Sequence, residues 1–233
     1  MFELTQNSGS WSETVLHSFC SEPHCRDGNA PYSALLRSAD GTLYGTTAYG
    51  GSDVFPCYLG CGTVFKLDPD GNEESYPLTG MDGIQSYNGL TYDGKGNFYG
   101  STPIDGAFGQ GTVFKLTRAS DGIWKFSVLY NFRIGSPGAG SFSTGVVLDN
   151  AGNLYGTTWG PDSGNCEGSG CGLVYKLEPR PAGPWKFSEV YSFTGGQDGG
   201  EPTGTLIIDK DGNLYGTAGV GGAGYGVVYE ITP

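Results

Sequence analysis

The feature that most constrains this chain is a phrase it keeps repeating. Gly152-Asn153-Leu154-Tyr155-Gly156-Thr157-Thr158 is followed, after a gap rich in Gly and Cys, by Gly172-Leu173-Val174-Tyr175-Lys176-Leu177. The first half recurs at Leu43, Phe98, Leu154 and Leu214, spaced 55, 56 and 60 residues apart, and the second half at Gly62, Gly111, Gly172 and Gly226. A tandem period of this size points to propellers or solenoids, whose repeats are supersecondary units that bury their apolar faces against one another.

Each repeat reads as four strands. In the third copy Thr144 to Asp149 is an apolar first strand, Leu154 to Thr158 the second and Leu173 to Leu177 the third. The fourth is Trp185 to Phe193, where Trp185, Phe187, Glu189, Tyr191 and Phe193 alternate with Lys186, Ser188, Val190 and Ser192. Period-two patterning with aromatic and β-branched residues is the strand signal, and no helix-period segment competes with it. First and second strands are joined by Asp-x-x-Gly-Asn at Asp93 to Asn97, Asp149 to Asn153 and Asp209 to Asn213, with Ser38 to Thr42 in the first copy. An Asp that caps amides and a Gly that supplies positive φ predict tight hairpins. These runs resemble calcium loops superficially, but they lack the bidentate Glu of such a loop.

The ends complete the reading. Phe2 to Thr5 matches a third strand, Trp11 to Phe19 a fourth, and Val227 to Ile231 another third strand. The expected fold is all-β: a β-propeller of four blades, each of four antiparallel strands, with the ring closed by the N-terminal strand joining the last blade. One domain is expected over residues 1–233, with blade repeats near 32–80, 87–134, 142–195 and 202–231 plus 2–19. The third-strand match at Phe2 is one more than such a ring needs, so it packs outside the sheet or belongs to a longer array.

The formal net charge of -12 repels phosphate backbones and anionic lipid surfaces, and the 12 Lys and Arg form no cluster. Neither nucleic-acid binding nor membrane insertion is expected. The six cysteines form three short pairs, Cys20/Cys25, Cys57/Cys61 and Cys166/Cys171. Spacing inside Gly-rich loops suits local disulfides, although six cysteines allow fifteen connectivities and a zinc site is the rival. Disulfides would imply an oxidising compartment. The amino terminus, MFELTQNSGS, has no basic region followed by an apolar run, so an export signal or anchor is expected to lie outside this sequence.

The phrases GNLYGTT, GCGTVFKL and SETVLHSF resemble the GloVer-type tandem repeats of choice-of-anchor bacterial surface or secreted proteins. The resemblance covers nearly the whole chain. It implies an exported bacterial repeat protein, extracellular or at the cell surface, built as a β-propeller and with no agreed biochemical activity. The chain departs from that pattern in a shortened fourth strand, Glu73 to Leu78, and in a repeat without a cysteine pair. The strand order also resembles NHL-like blades, whose first strand lies nearest the central axis.

In such a blade, the loops between second and third strands emerge on one face with those leading to the next blade. That face carries all three cysteine pairs and the longest loops, the usual place for binding chemistry on a rigid ring. Its candidate ligand-binding residues are Tyr49, Tyr58, Phe108 and Trp159 with Asp53, Asp105, Asp162 and Glu201; Tyr32, Tyr87 and Phe142 lie on the same face. Aromatic rings beside carboxylates suit sugars, although blade-top packing accounts for single aromatics as well. Asp27, Asp82 and Asp198 precede Gly in matching loops and read as turn caps. The repeated Tyr44, Tyr99, Tyr155 and Tyr215, with Lys66, Lys115 and Lys176, read as packing positions, and Glu230 replaces the Lys in the last copy.

No motif places a nucleophile with its base, and His17 and His24 are not paired by any pattern. The expected function is a binding or structural module with carbohydrate as ligand, a polysaccharide or cell-surface glycan serving as partner. The alternative is a glycoside hydrolase using two of the loop-face acids. No cofactor is expected beyond a structural cation such as calcium. The chain is expected to be a monomer, with assembly through exposed ends as a third reading.

Overall fold

The computed structural model describes residues 1–51, 57–119, 122–138, 144–160, 166 and 170–232. The fold is all-β, with a single 3-10 turn at Pro23–Cys25 among the described residues. A hairpin of β1 (Phe2–Asn7) and β2 (Ser10–Val15) comes first. Four antiparallel sheets of β-propeller blade type follow. The first holds β3 (Leu36–Arg37), β4 (Leu43–Thr47), β5 (Thr63–Leu67) and β6 (Glu73–Pro77). The second holds β7 (Thr91–Tyr92), β8 (Asn97–Thr102), β9 (Thr112–Arg118) and β10 (Trp124–Asn131). The third holds β11 (Val147–Leu148), β12 (Leu154–Thr158), β13 (Leu173–Glu178) and β14 (Lys186–Ser192), and the last holds β15 (Gly200–Ile208), β16 (Leu214–Val220) and β17 (Val227–Ile231).

The repeated phrase has a steric origin. Gly45, Gly100, Gly156 and Gly216 each stand opposite an aromatic residue of the neighbouring third strand, namely Phe65, Phe114, Tyr175 and Tyr229. A Cβ at Gly45 would lie 2.6 Å from the Phe65 ring and one at Gly100 would lie 2.5 Å from Phe114. The ring therefore lies across the second strand, and any side chain there would displace it. The connecting turns are the expected hairpins. Asp149 accepts hydrogen bonds from the amides of Ala151 (2.9 Å) and Asn153 (2.8 Å) and from the Asn153 side chain (2.7 Å). Asp93 and Asp209 repeat the arrangement.

In the first three sheets the first strand is short, β3, β7 and β11 covering two residues each, where the sequence suggested Thr144 to Asp149 in the third copy; in the last sheet β15 covers nine. The ring closure also differs. The last sheet has three strands, and β2 pairs with β1 in a separate two-stranded sheet rather than with β17. The reason is local: Ser8 (φ 49°) and Gly9 (φ 92°) make a two-residue hairpin turn, and closing it costs far less chain entropy than reaching a strand at the other end of the sequence.

The chain falls into two compact units, Met1–Gly80 with Gln85–Gly89, and Met81–Ile84 with Leu90–Pro233. The first contains the β1–β2 hairpin and the first sheet. In the second, one core joins the second and third sheets through Tyr99, Val113, Leu129, Phe132, Leu173, Tyr175 and Leu177. The Phe132 ring meets Tyr175 edge-on at 5.5 Å, and Tyr130 stacks on Phe187 at 4.9 Å. Another core joins the third and last sheets through Tyr155, Val174, Phe193, Leu206 and Leu214. Each large apolar side chain removed from water here contributes about 1.5–3 kcal/mol.

Candidate functional site

The cysteines form three local disulfides, Cys20–Cys25, Cys57–Cys61 and Cys166–Cys171, so the zinc alternative for these residues is set aside. Two of them shape the loop face of the first unit. The loop before β3 crosses the loop after β4 in a short ladder, with Asn29 and Tyr49 exchanging backbone bonds of 2.9 and 3.0 Å. Gly28, at φ 96°, lies against Thr47 and Thr63, where a Cβ would come within 2.6 Å of the Thr47 side chain. From the segment that follows β6, the Gln85 amide donates to the carbonyl of Cys61 at 3.1 Å.

This scaffold brings three tyrosines together. Tyr87 donates its hydroxyl proton to Gln85 Oε1 at 3.1 Å, and its oxygen lies 3.4 Å from the Tyr49 hydroxyl. The Tyr32 ring stands 5.8 Å from the Tyr87 ring. Burial, the Tyr49 hydroxyl and the neighbouring tyrosines push the Tyr87 phenol up to about 12, so it stays protonated throughout the physiological range. Gln85 is held in the left-handed region at φ 60°, and Ala30 and Glu201, which follow Asp-Gly at the same offset, share it at φ 56° and 55°. Such backbone strain in non-glycine residues survives only where the surroundings over-determine it. Because it recurs, it belongs to the repeat; the tyrosine cluster belongs to this loop pair.

The remaining candidates are dispersed. Tyr58 is almost fully exposed beside the Cys57–Cys61 bridge. In the second unit the Phe108 ring is covered by Arg133, whose guanidinium carbon lies 4.1 Å from the ring centroid. Asp105 accepts the Gly111 amide at its carbonyl (2.8 Å), the Glu201 amide donates to Cys171 (2.7 Å), and Trp159 is partly exposed. Asp53, Asp162 and Phe142 lie outside the described residues. Asp27 and Asp198 are turn caps as expected: Asp27 accepts from the Ser21 amide (3.0 Å) and hydroxyl (2.9 Å), and Asp198 from the Thr194 amide (2.9 Å) and Tyr191 hydroxyl (3.0 Å).

One pairing escapes the sequence reading. His17 Nε2 lies 3.4 Å from the buried carboxylate of Asp27, with its ring edge-on to Phe19 at 4.7 Å. Burial opposes the charge on Asp27, but the Ser21 and Glu22 hydrogen bonds outweigh it and hold the carboxyl below its usual range. Nearby in β6, burial raises Glu73 despite the Ser75 hydroxyl. The Cys20–Cys25 ring that folds residue 27 back on residue 17 was the available signal. Among the described residues no group of three or more His, Cys, Asp or Glu is placed to hold a metal ion.

Comparison with known proteins adds two kinds of likeness. Similar solved structures include a luciferin-regenerating enzyme (15% identity, TM-score 0.51, covering 86% of this chain and 60% of that one). A protein assigned as a gluconolactonase (18%, 0.47, 85% and 57%) and a gluconolactonase from Xanthomonas campestris (15%, 0.48, 86% and 62%) are also similar. The chain thus spans about three fifths of the length of each of these structures. No curated protein matches it. The luciferin-regenerating enzyme, whose fold this chain shares, is named as an enzyme, and neither as a carbohydrate-binding module nor as a glycosidase. That overturns the expectation of a carbohydrate-binding or structural module, and the glycoside-hydrolase alternative finds no support. The second likeness is the repeat phrase itself, which matches the model of the Gloeobacter/Verrucomicrobia repeat over residues 1–181, so the chain belongs to that family.

Proposed function

We propose that this chain is an enzyme acting on a small, uncharged organic substrate with a ring carbonyl, such as a lactone, at the tyrosine cluster of its first unit. The observation that carries the reading is the Tyr49–Tyr87–Gln85 chain of hydrogen bonds beside the open Tyr32 ring. Support comes from the luciferin-regenerating enzyme, a named enzyme of the same fold. The Tyr87 proton is engaged by Gln85, so the Tyr49 hydroxyl donates across a long 3.4 Å bond to Tyr87. A substrate carbonyl is a better acceptor than that phenol, and as water adds and the carbonyl oxygen gains charge, the Tyr49 bond strengthens. The exposed Tyr32 ring offers an apolar platform for the substrate ring. The work site is an oxidising compartment outside the cytoplasm, a reading supported by the three disulfides.

The test is proton release from five- and six-membered lactones, followed by pH-stat. Turnover by the unmodified protein is expected, with kcat/KM lowered about 100-fold in Tyr49→Phe, the loss typical of one oxyanion donor. No turnover of any lactone above the buffer rate, or turnover equal in Tyr49→Phe and Tyr87→Phe, overturns the reading.

A further inference from the structure

The last sheet has an open face where each preceding sheet has a covered one. Val64, Val113 and Val174 occupy the same third-strand position and are 3%, 0% and 0% exposed; their counterpart in β17, Val228, is 81% exposed. The neighbouring positions agree. Thr46, Ser101 and Thr157 are buried, while Thr217 is exposed. Val147 packs into the core between the third and last sheets, while its equivalent Ile207 is 68% exposed.

The β1–β2 hairpin shows the converse. Its register pairs Phe2 with Val15, Glu3 with Thr14 and Leu4 with Glu13, the same offsets by which β13 pairs Tyr175 with Glu189, Lys176 with Ser188 and Leu177 with Phe187. Phe2 and Leu4 therefore stand where Tyr175 and Leu177 stand in a complete blade. Those two are fully buried, since that side of a third strand receives the preceding sheet. Phe2 and Leu4 are 59% and 52% exposed. The chain thus carries two open faces of opposite kind: one built to receive a following blade, the other built to be received by a preceding one. The core joining the third and last sheets shows the packing that such faces make.

We propose that the open face of the last sheet, around Ile207, Thr217 and Val228, is an interface for a second copy of this chain, which fills it with the Phe2–Leu4 face of its β1–β2 hairpin. The contact is heterologous, so it propagates head to tail until a ring closes. With a net charge of -12 on each copy, salt strengthens the association by screening the repulsion.

Light scattering and sedimentation of the full chain across a concentration series test this directly. The expected result is a mass that rises above 24.4 kDa with concentration, and more steeply at higher salt. Val228→Asp and Leu4→Asp, both at exposed positions, each abolish the rise while circular dichroism stays unchanged. Mixing the two variants restores a species of twice the monomer mass and nothing larger, because one intact face of each kind remains. A single 24.4 kDa species at every concentration overturns the proposal, as would be the case if the two faces met within one chain. Association that both variants leave intact overturns it as well.

Discussion

The third and last sheets carry the same phrase and meet opposite surroundings. In both, an Asp-x-x-Gly-Asn hairpin feeds a second strand whose glycine lies under a third-strand tyrosine. In the third sheet Val174 is sealed against the last sheet; in the last sheet the equivalent Val228 is open. Their polar edges differ too. Lys176 bonds Glu178 at 3.2 Å and lies 5.9 Å from the Tyr155 ring, whose hydroxyl donates to Asp149. With Glu230 in place of that lysine, the Tyr215 hydroxyl sits between two carboxylates, 3.1 Å from Asp209 and 3.0 Å from Glu230, and is pushed up to about 12. Backbone geometry is therefore a property of the repeat, while burial and charge are properties of the neighbour.

The largest expected effect is a substitution made twice. Val174→Asp buries an unpaired carboxylate and should destabilise by more than about 4 kcal/mol, leaving no cooperative unfolding transition. Val228→Asp, exposed, should change the urea midpoint by the equivalent of about 0.5 kcal/mol or less. Equal losses in the two would break the comparison.

A smaller effect tests the part that the sheets share. Burial works against the charge of Asp149, yet hydrogen bonds from Asn153 and Ala151 hold its carboxyl below the usual range. A carboxyl with a lowered folded-state value stabilises above its unfolded value and loses that contribution as pH falls through the folded one. Asp149→Ala should cost about 1 kcal/mol at neutral pH, with the difference from the parent vanishing in strong acid. Asp209, lowered first of all by the Asn213 side chain, should respond in the same direction despite its open sheet. Thermal unfolding from neutral to acid pH reads both, and opposite signs would show that the turns are not independent of the packing around them.

The smallest expected effect is a titration. Glu230→Lys restores the consensus residue and removes a carboxylate that accepts from Tyr215, so that phenol should ionise below about 12. Carbon NMR of the Tyr215 ring against pH measures it. An unmoved transition would place the cause with Asp209 rather than with Glu230.

How much was legible follows the range of each interaction. Strand positions, the Asp-capped hairpins and the cysteine pairing were readable, because alternation, an Asp followed by Gly-Asn, and two cysteines four or five residues apart act over a few residues. The phrase also held its own steric reason, since Gly156 is needed wherever Tyr175 lies across it. Tyr49 was readable as a loop-face candidate, but its meeting with Tyr87 was not, because that depends on the Gln85 amide docking at Cys61 from another loop. Likewise, His17 reaches Asp27 through a turn closed by the Cys20–Cys25 bridge. The sequence by itself determined the strands, their turns and the repeat family, whose causes are local and recur in every copy. Tertiary structure alone decided which tyrosines converge, that β2 stays with β1, and that Val228 is open where Val174 is closed. Those outcomes depend on which surface lies opposite a residue, and a repeated sequence puts the same residue on covered and uncovered faces alike.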